Sequence, residues 1–211
     1  MTSSESSITV LRDDLDQTRL ERYLDSRYLA VDTETQGLQV TRDRLCVVQM
    51  CNEAGLVTLV QIRNRPAPRL KTLLEAPGVE KIFHFARFDV ATLKHWLEID
   101  VQPLFCTKIA SRLVRTYTGS HGLKDLVLEF LDITLDKQQQ SSDWAATELS
   151  PRQQAYAAAD VIHLVALRER LVAMLEREHR LELARACMAF LPTRAALDLA
   201  GWEDEDIFAH S

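Results

Sequence analysis

The chain has 211 residues, of which 46% are hydrophobic, and it carries a formal net charge of -6 at pH 7. This length fits one domain of ordinary size, and the composition is normal for a globular protein. No apolar run approaches the roughly 20 residues of a membrane span. The negative charge argues against a large footprint on a long nucleic acid, because basic residues supply most of that affinity.

Residues 1–7 lack the apolar core of a secretory signal, so we expect a short disordered leader followed by a single domain over residues 8–211. The four cysteines, Cys46, Cys51, Cys106 and Cys187, form no CxxC pair. A disulfide framework or a Cys/His zinc site is therefore not expected. Buried free thiols in the cytoplasm are the simpler interpretation.

The first half of the chain mixes predicted strands and helices. A short apolar run at residues 29–31 stops at an acidic residue. Residues 45–50 and 56–60 are rich in β-branched side chains on either side of a turn-forming link, which predicts a hairpin. The elements predicted next, in chain order, are a helix over 69–74, a strand over 80–84, a helix over about 86–96 and a strand over 104–106.

The second half is predicted to be helical. Ser150 and Pro151 have the residue types favoured at a helix N-cap and first turn, and this helix is expected to reach about Glu178. The other predicted helices cover 107–114, 123–131 and 182–190, with Pro192 interrupting the last one. Strands early and helices late predict an α/β fold, a mixed sheet flanked by helices with a helical C-terminal part.

Three separated clusters contain the residues best suited to catalysis or metal binding. They are Asp32-Thr33-Glu34 after an apolar strand, His84-Phe85-Ala86-Arg87-Phe88-Asp89 at a strand-to-helix junction, and Tyr156-Ala157-Ala158-Ala159-Asp160 in a predicted helix. Residues i and i+2 of a strand share a face, as do residues i and i+4 of a helix. Each cluster alone also has a structural explanation, such as a turn cap, a helix-dipole carboxylate or a small-residue helix face.

Several carboxylates brought together in one fold would repel each other unless cations compensate. Carboxylate oxygens favour Mg²⁺ or Mn²⁺ over zinc. Two such ions about 4 Å apart can stabilise the entering and leaving oxygens of an in-line phosphoryl displacement. The clusters together therefore predict a phosphodiester hydrolase that uses two divalent cations.

The three clusters resemble the three exonuclease motifs of the DEDD superfamily, in the tyrosine-bearing branch that includes ribonuclease D. Longer blocks, among them residues 43–49, 105–111, 137–146 and 206–211, are similar to the nanoRNase C family. The resemblance covers nearly the whole chain. It implies a ribonuclease H-like fold and a 3′-5′ exoribonuclease that hydrolyses very short RNAs, dinucleotides above all, to mononucleotides.

The resemblance also implies roles for the acidic residues. Asp32, Glu34 and Asp160 would bind the metal nearest the attacking water, and Asp32 would bridge to a second metal held by Asp89. Tyr156 would orient the water, because a tyrosine with an ordinary pKa near 10 is a poor base alone.

The residues expected at the substrate fall into three groups. Leu38 is expected to wedge between terminal bases, as a leucine does in relatives, or else to be an ordinary turn leucine. Phe85 and Trp144 would stack on bases, or else belong to the core. The remaining residues, Thr33, His84, Arg87, Gln140 and Ser142, are expected to contact the substrate, the last four through sugar or phosphate oxygens.

The segment from about residue 180 to 211 contains more apolar residues than a solvated tail needs. It either folds over its own domain or forms a subunit interface, and the resemblance implies an octameric ring. Two other functions remain open at this point. One is a broader 3′-5′ exonuclease acting on longer RNA or DNA, and the other is an inactive nucleic-acid-binding adapter.

Overall fold

The computed structural model describes residues 8–136 and 142–210. The predicted leader and Gln140 lie outside these ranges. Two layers of helices enclose a six-stranded mixed sheet with the strand order β1-β4-β3-β2-β5-β6. The strands are β1 (Thr9–Arg12), β2 (Tyr28–Thr35), β3 (Leu45–Asn52), β4 (Val57–Gln61), β5 (Glu80–Phe83) and β6 (Leu104–Cys106).

Helices surround this sheet and become frequent toward the C-terminus. They are α1 (Gln17–Leu24), α2 (Pro68–Leu74), α3 (Ala86–Leu97), α4 (Thr107–Val114), α5 (Leu123–Leu131), α6 (Pro151–Ile162), α7 (Leu164–Arg177) and α8 (Leu181–Leu197), followed by a wide turn at Asp198–Trp202. The predicted α/β class and the helical C-terminal part are confirmed.

The predicted hairpin is the antiparallel pair β3–β4, and β2 pairs antiparallel to β3 on the other side. β5 and β6 continue the sheet in parallel, as does β1 beside β4. All eight residues of β3 are buried, because this strand is covered on both faces. β2 therefore lies in the interior of the sheet, where its position is fixed by a neighbour on each side.

Two helix predictions are wrong. The helix expected from residue 151 to 178 divides at His163, so that α6 packs against β2, β3 and β4 while α7 packs against α4. Pro192 does not interrupt α8, which continues to Leu197. Burial of Met188, Leu191 and Ala195 along one side of α8 offsets the backbone hydrogen bond that a proline removes.

Two elements were missed in the sequence. β1 is a four-residue edge strand with no fully buried position, so it has no strong apolar signal. α1 buries only Leu20 and Tyr23, and its start is marked by Asp16, whose side chain accepts a hydrogen bond from the Arg19 backbone. Short elements with few buried residues give a weak periodic pattern.

The four cysteines are free thiols, and three of them are buried, as predicted. None of the helices in the described part of the chain combines the length and the apolarity that a membrane crossing requires.

Candidate metal centre

Three carboxylates from two elements converge at the middle of the sheet. Asp32 and Glu34 project from one face of β2, and Asp160 comes from α6, which packs against that strand. One oxygen from each of the three lies within 4.8 Å of the others, and all three side chains are half-buried. β2 extends through Thr35, so the acidic pair lies inside the strand rather than after it.

Asp89 approaches the same centre from the first turn of α3 and is buried. The Thr33 hydroxyl donates a hydrogen bond of 2.7 Å to Asp89 Oδ1. The Thr33 side chain is buried and oriented toward Asp89, and substrate contact by Thr33 stays a prediction. Thr33 alternates with Asp32 and Glu34 along β2, and so links the strand to α3.

Burial raises the pKa of Asp32, Glu34 and Asp89, and repulsion between carboxylates adds to the shift for Asp32 and Glu34. Burial, then the charges of Asp89, Asp160 and Glu34, raises the pKa of Asp32 well above its ordinary value. Burial, followed by Asp160 and Asp89, raises the pKa of Glu34 to about 9. Burial also raises the pKa of Asp89 to about 7, although the Thr33 hydrogen bond opposes this shift.

Tyr156 lies one helical turn before Asp160 and forms a hydrogen bond with it. Burial, followed by the charges of Asp160, Glu34 and Asp32, raises the pKa of Tyr156 above its usual value of 10. A phenol with a raised pKa holds its proton more tightly, so almost no phenolate is present at neutral pH to act as a base. The structure therefore favours a hydroxyl that orients a neighbouring group over one that gives up its proton.

The donor set fits a hard divalent cation. Its members are carboxylate oxygens, which Mg²⁺ and Mn²⁺ prefer, and they are close enough to share one ion. A bound cation would favour the ionised carboxylates that burial and repulsion disfavour. Cation binding and ionisation of the carboxylates would therefore favour each other at this site.

Two exposed apolar side chains flank a cavity beside this centre. Leu38 is 85% exposed, and Phe85 is 44% exposed with Lys108 Nζ 4.5 Å from its ring centroid. Gly37 sets the turn before Leu38, because a Cβ there would lie 2.2 Å from Asp43 Oδ2. Wedging by Leu38 and stacking by Phe85 stay predictions.

The polar residues expected at the substrate have protein partners. His84 Nδ1 lies 2.9 Å from Thr107 Oγ1. The Arg87 guanidinium donates to both carboxylate oxygens of Asp198 at 2.7 Å and to the Glu203 carbonyl oxygen. Ser142 is half-buried. Substrate contacts by these three residues stay predictions, and Gln140 lies outside the described residues.

Trp144 lies in the core, which is one of the two alternatives that the sequence left open. The residue is 3% exposed and belongs to a buried cluster with Cys46, Leu59 and Leu149. The ring centroid lies 5.9 Å from that of Tyr156. Trp144 therefore packs near Tyr156 from the core side of the site.

Sequence reasoning missed Gln49. This β3 residue donates through Nε2 to Asp32 Oδ2 at 2.6 Å. The available signal was a polar residue in the middle of an apolar, β-branched run, which is unusual for a buried strand.

The fold is of the ribonuclease H-like class, and the carboxylate cluster at the middle of its sheet could hold a divalent cation. A family model described as 3′-5′ exonuclease matches residues 8–176. The chain thus belongs to the 3′-5′ exonuclease family, and within it the chain is ribonuclease D-like.

Relatives include the ribonuclease D of Gluconacetobacter diazotrophicus, which is 32% identical over 173 residues. That match covers 82% of this chain but 44% of the relative, so the chain spans less than half the length of this curated relative. Brucella melitensis NrnC bound to pGG is 49% identical with a TM-score of 0.93, over 98% of this chain and 100% of that one. NrnC with bound Mg²⁺ is 49% identical with a TM-score of 0.92, over 97% and 100%.

Proposed function

We propose that this protein is a 3′-5′ exoribonuclease that hydrolyses very short RNAs, dinucleotides above all, to nucleoside 5′-monophosphates with two divalent cations. The convergence of Asp32, Glu34 and Asp160 within 4.8 Å is the observation that carries the proposal. The proposal is also supported by the similarity of this protein to NrnC, which extends along nearly the whole chain. NrnC has been solved with Mg²⁺ and with the two-nucleotide ligand pGG.

Each acidic residue has a place in this chemistry. Asp32, Glu34 and Asp160 would hold one ion, and Asp32 with Asp89 would hold the second. Divalent cations bound there, Mg²⁺ or Mn²⁺, would lower the pKa of a water and neutralise charge on the phosphoryl oxygens. Thr33 keeps Asp89 in place through its 2.7 Å hydrogen bond.

Tyr156 positions the attacking water in this mechanism. Its hydroxyl lies beside Asp160 and the other carboxylates, and its raised pKa keeps it protonated at neutral pH. A protonated hydroxyl donates one hydrogen bond and accepts others, which suits it to fixing the direction of a water.

A preference for short substrates agrees with the charge of the chain. The net charge of -6 disfavours a long polyanion. The exposed Leu38 and Phe85 beside the centre would contact bases through apolar surfaces, which bind any sequence.

We further propose that the protein acts in the cytoplasm and assembles as a homo-oligomer through residues of about 180–211, an octameric ring by resemblance. Sedimentation as a monomer at micromolar concentration would contradict the assembly.

A time course on 5′-labelled RNAs of two to seven nucleotides tests the proposal, with Mg²⁺, with Mn²⁺ and with EDTA. We expect the dinucleotide to be consumed fastest and EDTA to abolish product formation. Asp160→Asn is the matched inactive control, since it removes one ligand at nearly constant volume.

Other outcomes point to other functions. Equal or faster loss of the seven-nucleotide RNA, or of a matched DNA, would instead indicate the broader exonuclease. Binding of RNA without product formation under any of these metal conditions would indicate an inactive adapter.

A further inference from the structure

Gln49 is a fully buried amide in a strand that is otherwise mostly apolar. It lies between Val48 and Met50 in the middle of β3, and its exposed fraction is 0%. Burying an amide is unfavourable when the hydrogen bonds it makes with water are not replaced. An apolar residue of similar size would fit the strand pattern better, so the contacts of Gln49 must explain its presence.

These contacts are the two metal-binding carboxylates of β2. Antiparallel pairing places Gln49 directly opposite Asp32, so both side chains project on one face. Nε2 donates a short hydrogen bond of 2.6 Å to Asp32 Oδ2. Glu34 lies two residues beyond Asp32 on the same face of β2, and the neighbouring Gln49 amide lowers the pKa of Glu34 against the larger effect of burial.

The carbonyl oxygen of the Gln49 amide, in contrast, is placed unfavourably. Oε1 is buried and accepts no hydrogen bond from any group in the described ranges. A glutamine kept for stability alone would satisfy both ends of its amide. The orientation of Gln49 is therefore set by the carboxylates, at a cost to the strand that holds it.

We infer that Gln49 is a positioning residue of the metal centre, which holds the carboxylates of Asp32 and Glu34 so that they can share one divalent cation. This inference rests on the proposed function for the cation itself. A neutral donor suits the task, because it orients two carboxylates without adding a positive charge that would compete with the cation.

Calorimetric titration with Mg²⁺ and with Mn²⁺, without RNA, tests the inference. We expect Gln49→Met and Gln49→Leu to bind the cations roughly 10- to 100-fold more weakly than the wild type, the usual effect of losing a partner of a metal ligand. Gln61→Met is the matched control. Gln61 is a buried glutamine of the same sheet, and its Nε2 donates to the Ala146 carbonyl oxygen at 3.3 Å. This control should change the affinity by less than about twofold.

Activity gives a second readout that packing alone would not change. The Gln49 variants should need a higher Mg²⁺ concentration for half-maximal turnover, and excess Mg²⁺ should restore much of kcat. Using two apolar replacements guards against one that fails to fold. Wild-type affinity in folded Gln49→Met or Gln49→Leu would overturn the inference. If the wild type bound no cation, the proposed function would fail instead.

Discussion

The carboxylate cluster should make the protein less stable as the pH rises when no divalent cation is bound, and a bound cation should offset that loss. Glu34 is the clearest case, because its pKa rises from 4.5 to about 9 on folding. An acid with a raised pKa holds more protons in the folded state than in the unfolded state. Its contribution to stability is therefore complete below about pH 4.5 and is lost as the pH rises toward 9.

The magnitude follows from that shift. Between pH 5 and pH 7, two pH units at about 1.4 kcal/mol each correspond to a loss of up to about 3 kcal/mol from Glu34 alone. The neighbouring acids titrate together with it, so their contributions do not simply add. A cation binds the ionised form, and at 100 times its Kd it stabilises the folded state by about 2.7 kcal/mol. Mg²⁺ should therefore stabilise the protein more at pH 7 than at pH 5.

Urea unfolding at pH 5 and pH 7, in EDTA and in saturating Mg²⁺, measures these free energies. Glu34→Gln is the control, because an amide of nearly the same volume does not titrate. In EDTA, the loss of stability between the two pH values should be smaller in Glu34→Gln than in the wild type. The same loss in both proteins, or an equal Mg²⁺ effect at both pH values, would refute the reasoning.

Four further predictions concern activity. Asp160→Asn should abolish turnover while circular dichroism shows an intact fold; measurable turnover at saturating Mg²⁺ would contradict its role as a ligand. Tyr156→Phe should reduce kcat by about 10²-fold or more with little change in KM, and wild-type kcat would refute the role of the hydroxyl. Thr33→Val, which loses the donor to Asp89, should raise the Mg²⁺ concentration needed for half-maximal turnover, and an unchanged metal requirement would count against it. Activity on a dinucleotide should fall with salt at a log-log slope of about -1 to -2, whereas a slope several times steeper would indicate a long-RNA enzyme.

The local elements near the centre were readable from local patterns. Apolar residues before Asp32 predict the strand that carries it, and β-branched residues flanking a turn predict the β3–β4 hairpin. Ser150 and Pro151 mark the start of α6, where the Ser150 hydroxyl accepts a hydrogen bond from the Gln153 backbone. Such signals act over a few residues, so they survive in the sequence without knowledge of the fold.

The contacts and roles of individual polar and aromatic side chains could not be predicted in this way. Nothing local indicated that the Thr33 hydroxyl donates to Asp89, which lies 56 residues away, or decided whether Trp144 stacks on bases or packs in the core, where the structure places it. Gln49 was not predicted to be a site residue, although it contacts Asp32 across the sheet. A hydroxyl, an indole or an amide can interact with several kinds of neighbouring group. Which neighbour it contacts depends on residues that are distant in the chain.

The sequence by itself determined which residue types were available: an acidic pair at strand spacing, and a tyrosine one helical turn from an aspartate. Those spacings are local and fix which side chains share a face. Only the tertiary structure decided that Asp32, Glu34 and Asp160 lie within 4.8 Å of one another. Bringing them together works against burial and repulsion, and packing of the sheet against α6 supplies the free energy that opposes both.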